Sequence, residues 1–410
     1  MAGNASSPPL QQSLWRRQLA EALAAIPIDR QRRLRPLQPA AGGAALLHDG
    51  GTPLLDLASN DYLGLSRHPA VVAAARTSAA GEGVGAGASR LVSGSRPVHA
   101  ALEDNLAAWL GRERVLLFPS GFQANLAAVQ ALADRHSLVL ADRLIHQSLL
   151  SGVRCSGARL LRFRHNDLNH LEELLLKVRA EAPQRRVLVL SESLFSMEGT
   201  SVDATALVAL GERYDAAVLL DEAHALGVLG AGGRGLGHGL QGIALLSGTF
   251  GKAFGSGGAF LAGDQLVMDW LLQSSGAFRY TTALAPPLAA AAQAALTLLL
   301  EREAAGDPAG PALLRRAARW RQALVAAGWP RPPGNGPILP LLVGDDGQAL
   351  ALQERLARAG LLVVAIRPPT VPAGTARLRL VLRQDLPAGC LARLLHALGP
   401  PPPPVMPLHP

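Results

Sequence analysis

The sequence predicts an α/β protein whose central sheet is mostly parallel. Three observations carry that expectation. Five short apolar runs cross the middle of the chain, at 115–118, 138–141, 187–190, 216–220 and 243–246. They are apolar without alternation, as strands covered on both faces are. Stretches of helical periodicity, such as 171–180, separate them. Each run then ends in polar or small residues: Pro119-Ser120-Gly121-Phe122, Asp142, Ser191-Glu192-Ser193, Asp221 and Ser247-Gly248-Thr249. Ligands of parallel sheets sit beyond the carboxyl ends of the strands, where these residues fall.

The order along the chain gives four regions. Residues 1–53 read as an amphipathic helix, with Leu14, Leu19, Leu23 and Ile26 on one face, and a basic linker. Residues 54–305 form the large domain that carries the sheet, closing on a long Ala/Leu helix from Leu288. Residues 306–398 form a smaller α+β domain, with helix signals at 311–327 and 349–359 and strand signals at 339–343, 361–366 and 376–382. Residues 399–410 are a Pro-rich tail, expected to be disordered.

Composition narrows the function classes. The 410 residues are 49% hydrophobic and 17% charged, which is globular. Cys155 and Cys390 are the only cysteines, too few for a disulfide scaffold or a Cys-based zinc site. The apolar run 288–300 is too short to span a membrane and carries Gln293 and Thr297. The first residues hold no apolar signal core. A soluble, cytoplasmic protein with no membrane partner is expected. The net charge is +8 and the pI near 10.5. Its arginines are scattered, the one basic block is 30–35, and aromatics are 4%. That is poor material for nucleic acid.

Four motifs invite functional labels. Gly81-Glu82-Gly83-Val84-Gly85-Ala86-Gly87 follows a helical stretch rather than a strand, so it is no dinucleotide fingerprint. Asp221-Glu222-Ala223-His224 spells the DEAH of certain helicases, but the upstream phosphate loop such an ATPase needs is missing. His99, His136 and His165 are scattered, and no metal site is expected. The fourth is Thr249-Phe250-Gly251-Lys252-Ala253-Phe254-Gly255. Of 39 basic residues only Lys177 and Lys252 are lysine. Lys177 sits on a polar helix position. Lys252 lies just beyond a buried strand, about thirty residues after Asp221 at the end of another. Guanidinium cannot serve as an amine nucleophile, so a retained lysine marks a need for a primary amine.

An acid at one strand end and a lysine beyond the next fit pyridoxal phosphate chemistry. The amine condenses with the cofactor aldehyde. The carboxylate pairs with the protonated pyridine nitrogen. Ser120-Gly121-Phe122-Gln123 supplies a strand–turn–helix whose backbone N–H groups suit the phosphate. These features alone leave the reaction open.

The chain also resembles the α-oxoamine synthases, a branch of the fold-type I pyridoxal-phosphate transferases. The resemblance runs from about Trp15 to Leu398. It rests on Ser59-Asn60-Asp61-Tyr62-Leu63-Gly64-Leu65, Ser89-Arg90-Leu91-Val92-Ser93-Gly94, Ser120-Gly121-Phe122, Phe195-Ser196-Met197-Glu198-Gly199, and the strings 221–227, 249–255 and 366–380. It implies that Lys252 carries the cofactor, Asp221 bonds its pyridine nitrogen, and His146 stacks on its ring. It implies His224 and Ser196 beside the phenolic oxygen, and Gly121, Phe122 and Thr249 on the phosphate side. Lys252, Asp221, His146 and His224 are the implied catalytic residues. Arg367, Thr370, Asn60, His146 and one of Arg32 or Arg33 would contact substrate, Arg367 through an amino-acid carboxylate.

The string 366–380 favours the member that condenses L-alanine with a pimeloyl thioester, of coenzyme A or of acyl-carrier protein, over a sister enzyme using glycine or another acyl-CoA. The resemblance further implies a homodimer with active sites at its interface, and residues near Thr281-Thr282 reaching the neighbour's phosphate.

Overall fold

The structure, a computed structural model, describes residues 13–40 and 46–401. Residues 1–12 and the tail from 402 lie outside the described residues. The main sheet has seven strands: β1 (Arg114–Phe118), β2 (Leu138–Asp142), β3 (Arg159–Phe163), β4 (Val187–Glu192), β5 (Ala217–Asp221), β6 (Ile243–Thr249) and β7 (Ala259–Gly263). Their order is β1-β7-β6-β5-β4-β2-β3. Strands β6, β5, β4, β2 and β3 pair in parallel, and β7 runs antiparallel between β1 and β6. The fold is thus the mostly parallel α/β sheet the apolar runs predict.

Two strands carry weaker signals. Edge strand β3 exposes Arg159 and Arg162, so its apolar run is broken. Strand β7 is five residues long and follows a glycine-rich turn.

Alternation along each strand explains why the runs are apolar throughout. Leu138, Leu140, Val189, Val218 and Leu220 enter one core, and Val139, Ala141, Leu188, Leu190 and Leu219 enter the core on the opposite face. With both faces covered by helices, neither set reaches water. On the second face the helix Gly121–Leu132 lies against Gln147–Ser156. A Cβ on Gly152 would sit 2.8 Å from Val129 Cβ, so glycine is what lets these helices approach. On the first, the Ala-rich helices Pro69–Glu82 and Pro286–Ala304 pack together through small side chains.

A three-stranded antiparallel sheet joins Ile338–Gly344, Ala376–Val381 and Val364–Ile366, in that order. The run 361–366, expected as one strand, is divided. Leu361–Leu362 instead extends Thr52–Asp56 in parallel, so one apolar stretch ties two sheets together. The N-terminal helix forms at Leu14–Ala24, but none of its residues is buried. Leu14, Leu19 and Leu23 are exposed, and Ile26 lies past its end.

An ion cluster fixes the segment after Thr52–Asp56 to the C-terminal sheet. Buried Arg383 contacts Asp56 at 2.9 Å, Asp61 at 3.2 Å and Asp385 at 2.8 Å. Replacing Arg383 by Ala leaves three carboxylates without their cation. Loss of one partner of a buried ion pair costs about 3–5 kcal/mol. Arg383→Ala should therefore lower the unfolding free energy by that order, read from a lower denaturant midpoint, and an unchanged midpoint would show the cluster to be energetically idle.

Candidate active site

A cavity of about 210 Å³ opens beyond the carboxyl ends of β4, β5 and β6. Its floor is set by two carboxylates in register, Glu192 ending β4 and Asp221 ending β5. Asp221 is 5% exposed. Its Oδ2 accepts from Asn125 Nδ2 at 2.7 Å, and its Oδ1 from the Ala223 N–H at 2.9 Å. Both oxygens are thus oriented by neighbours in the cavity wall. Glu192 accepts from the His146 N–H at 2.6 Å. Burial, and then the Asp221 charge, push the Glu192 carboxyl well above the usual carboxylate range. Glu192 is therefore more readily protonated than an ordinary carboxylate.

Lys252 closes the cavity from the turn after β6. Burial lowers its pKa to about 8, against the opposing pull of Asp221 and Glu192 and with help from Arg379. His146 caps the helix Gln147–Ser156, and its Nδ1 lies 2.7 Å from Ser148 Oγ. Burial also lowers the His146 pKa. His224 lines the same cavity, and burial depresses its pKa further, with Lys252 and Arg379 adding positive charge around it. Both imidazoles are neutral at pH 7.

The far wall is the start of the helix Gly121–Leu132. Ser120 Oγ accepts from the Gln123 N–H at 3.3 Å, which leaves the Gly121 and Phe122 amides at the cavity wall. Unpaired first-turn amides with the helix dipole behind them suit an anion. A Cβ on Gly121 would come within 3.7 Å of Thr249 Cβ, narrowing the gap between these walls. Thr249 Oγ1 donates to the Gly258 carbonyl at 3.0 Å and accepts from the Gly251 N–H at 3.2 Å, so it shapes the Lys252 turn.

The other candidates divide between two places. Arg32, Arg33, Arg367 and Thr370 line a second cavity of about 550 Å³. Arg32 Nη2 donates to the Pro368 carbonyl at 3.0 Å, and Arg367 is tied to the Asp29 carbonyl. Arg367 is therefore not among the residues around Lys252. A different arginine is. Arg379, 7% exposed, donates from Nη2 to Asn60 Oδ1 at 3.0 Å and from Nε to the Ser196 carbonyl at 2.6 Å. Ser196 enters through this carbonyl and is not part of the Lys252 cavity wall. Thr281 contacts only the Thr282 carbonyl, at 3.4 Å.

The sequence reading missed Arg379, Asn125 and Glu192. Asn125 carries a signal, as one polar residue in an Ala-rich buried helix face. Glu192 carries one as an acid at a strand end. Arg379 carries none, being one of three arginines within the string 366–380. Among the remaining histidines, His165 bridges Asp142 at 3.0 Å and Thr200 at 2.8 Å, and His99 meets the Leu284 carbonyl at 2.8 Å.

Comparison with known proteins places this geometry. The family model "Aminotransferase class I and II" matches residues 52–398. A protein of Gluconacetobacter diazotrophicus named 8-amino-7-oxononanoate synthase is 43% identical over 381 residues, covering 90% of this chain and 94% of that protein. Among solved structures, a serine palmitoyltransferase variant from S. paucimobilis with bound PLP–myriocin is similar at a TM-score of 0.83 and 25% identity. The match covers 95% of this chain and 96% of that one. An 8-amino-7-oxononanoate synthase from Francisella tularensis is similar at a TM-score of 0.70 and 25% identity, covering 84% of this chain and 96% of that one.

The depressed Lys252 pKa can be read directly, because Lys177 is the one other lysine and lies exposed 3.9 Å from Glu181. In ligand-free protein, acylation of Lys252 followed by peptide mass spectrometry should rise about tenfold per pH unit below pH 8 and level off above it. A rate still climbing steeply beyond pH 9.5 would contradict the assignment.

Proposed function

The chain belongs to the class I and II aminotransferase family, in its 8-amino-7-oxononanoate synthase group, and from that premise we propose that it condenses L-alanine with a pimeloyl thioester. The products are 8-amino-7-oxononanoate, CO2 and free thiol, a step of biotin biosynthesis. The observation that carries this reading is the lysine of lowered pKa, sharing one buried cavity with a carboxylate held by its neighbours and a helix start across from it.

The family implies pyridoxal phosphate, and the residues present fit it. Lys252 supplies the amine for its aldehyde. Asp221 suits a protonated ring nitrogen, since Asn125 and Ala223 keep its oxygens ordered. The Gly121 and Phe122 amides, with Thr249 shaping the wall, suit the phosphate. His146 would lie against the cofactor ring, and His224 would serve its phenolic oxygen. When bound, the cofactor supplies an electron sink for the charge left on the amino-acid α-carbon.

The protein's own groups do the rest. Lys252, with a pKa near 8, can both take and return the proton at the α-carbon. Arg379 binds the alanine carboxylate, a task for which its fork is suited. Asn60 and Ser196 fix its orientation. Arg32, Arg33, Arg367 and Thr370 present a basic, partly apolar cavity to the acyl thioester. Phe122, 48% exposed at the site, and Tyr280, 82% exposed, suit burial by a second copy in a homodimer. Among the described residues no helix is long and apolar enough to cross a membrane, and we place the enzyme in the cytoplasm.

A visible absorption spectrum tests the reading first. The purified protein should be yellow, and its band should shift with L-alanine and much less with glycine. A response mainly to glycine would move the substrate to a sister synthase, and a colourless protein that takes up no pyridoxal phosphate would remove the reading altogether. Lys252→Ala should lose the band and about 10²–10⁴-fold in turnover while its circular dichroism is kept. Arg379→Ala should weaken alanine binding by about 1.5–3 kcal/mol, the worth of hydrogen bonds to a charged group. Arg367→Ala should spare alanine binding and raise the KM for the thioester. The reverse pattern would return the carboxylate to Arg367.

A further inference from the structure

Tyr62 is fully buried yet takes no part in the chemistry derived above. Its hydroxyl lies 2.6 Å from His224 Nδ1. The Arg379 guanidinium lies near enough to act on the same phenol electrostatically. Asn60 Oδ1 is the third neighbour, at 3.5 Å.

The donor inventory of these groups leaves one arrangement. A guanidinium only donates, so Arg379 cannot take the phenol proton. The phenol has a single proton to give. Asn60 Oδ1 already accepts from Arg379 Nη2 at 3.0 Å, and 3.5 Å is the outer limit of a hydrogen bond. His224 Nδ1, at 2.6 Å, is the near acceptor. A phenol giving its proton to Nδ1 requires that nitrogen to be bare. The proton of the neutral ring then sits on Nε2, which has no protein partner among the described residues and belongs to a side chain lining the Lys252 cavity.

We propose that Tyr62 is a positioning residue that locks His224 in the Nε2–H tautomer beside the Arg379 charge. The chain runs Tyr62 O–H to His224 Nδ1, and His224 Nε2–H into the cavity. Two environments support it. Burial raises the Tyr62 pKa far above its ordinary value, so the phenol keeps its proton. Burial and the charges of Lys252 and Arg379 keep His224 neutral. The consequence is twofold. His224 offers the cavity a donor and never an acceptor. And the Arg379 charge bears on the phenol, so an anion that offsets this charge is felt at His224 through Tyr62. This rests on the reading of Arg379 and His224 given under Proposed function.

The test begins on cofactor-free protein. Nitrogen-15 spectra of histidine-labelled protein, with His224 assigned by loss of its signals in His224→Asn, should show Nδ1 as a bare ring nitrogen and Nε2 as protonated at pH 7. Protonated Nδ1 in the wild type would overturn the lock. In Tyr62→Phe the Nδ1 signal should move downfield as its hydrogen bond is lost, and an unmoved signal would equally overturn it. In cofactor-loaded protein, Tyr62→Phe should weaken the alanine-induced spectral shift roughly tenfold, as loss of one bond to a charged network does. Unchanged alanine affinity would overturn the link to Arg379. Failure of the protein to take up pyridoxal phosphate would refute the functional reading while the nitrogen spectra still judge the tautomer.

Discussion

Two carboxylates in register cannot both be charged in one buried cavity, and the site is built around that constraint. Glu192 and Asp221 end neighbouring parallel strands, so the sheet itself sets their spacing. At such spacing, away from water, the second negative charge is strongly disfavoured. The asymmetry between them comes from their partners. Asp221 receives one side-chain and one backbone N–H, whereas Glu192 receives a single backbone N–H from His146. Glu192 is the carboxyl pushed upward. Lys252 faces the pair with its pKa near 8, because burial and Arg379 work against the attraction of the carboxylates. A cavity with one carboxyl pushed upward, one adjustable amine and two neutral imidazoles is what remains.

The scaffold delivers these groups from distant parts of the chain. Strands β4, β5 and β6 supply Glu192, Asp221 and the Lys252 turn. The helix after β1 supplies Asn125 and the first-turn amides. Arg379 arrives from the three-stranded sheet, far along the chain, and is received by Asn60 and the Ser196 carbonyl. The Arg383 cluster lies on the same extension of that strand and grips Asp56 and Asp61 on either side of Asn60. The cluster thus holds Asn60 where Arg379 needs it, so an ion pair remote from Lys252 helps define the substrate end of the site.

Much of this was legible in the sequence, for physical reasons. Doubly buried strands read as unbroken apolar runs, and their polar ends mark the ligand side. Lys252 and Asp221 stood out because each ends such a run. What stayed hidden depends on contacts between segments distant in sequence. The string 366–380 holds Arg367, Arg377 and Arg379, and spacing alone does not say which one turns toward Lys252. The parallel pairing of Leu361–Leu362 with Thr52–Asp56 redirects the chain before Val364, and that redirection places Arg367 in the second cavity. Asn125 was likewise invisible as a partner of Asp221, since 96 residues separate them.

The scarcity of lysine now has a structural reading. The chain carries 39 basic residues, two of them lysine. Arg379, Arg383 and Arg377 show what arginine does here. Each makes several directed bonds with neighbouring carbonyls or carboxylates, the work a guanidinium fork is shaped for. Lys252 needs a different property. Its amine must lose a proton near neutral pH, and burial can lower an ammonium pKa to about 8, whereas a guanidinium remains protonated under the same burden. A composition that turns nearly every cation into arginine keeps the one whose function is to be uncharged part of the time.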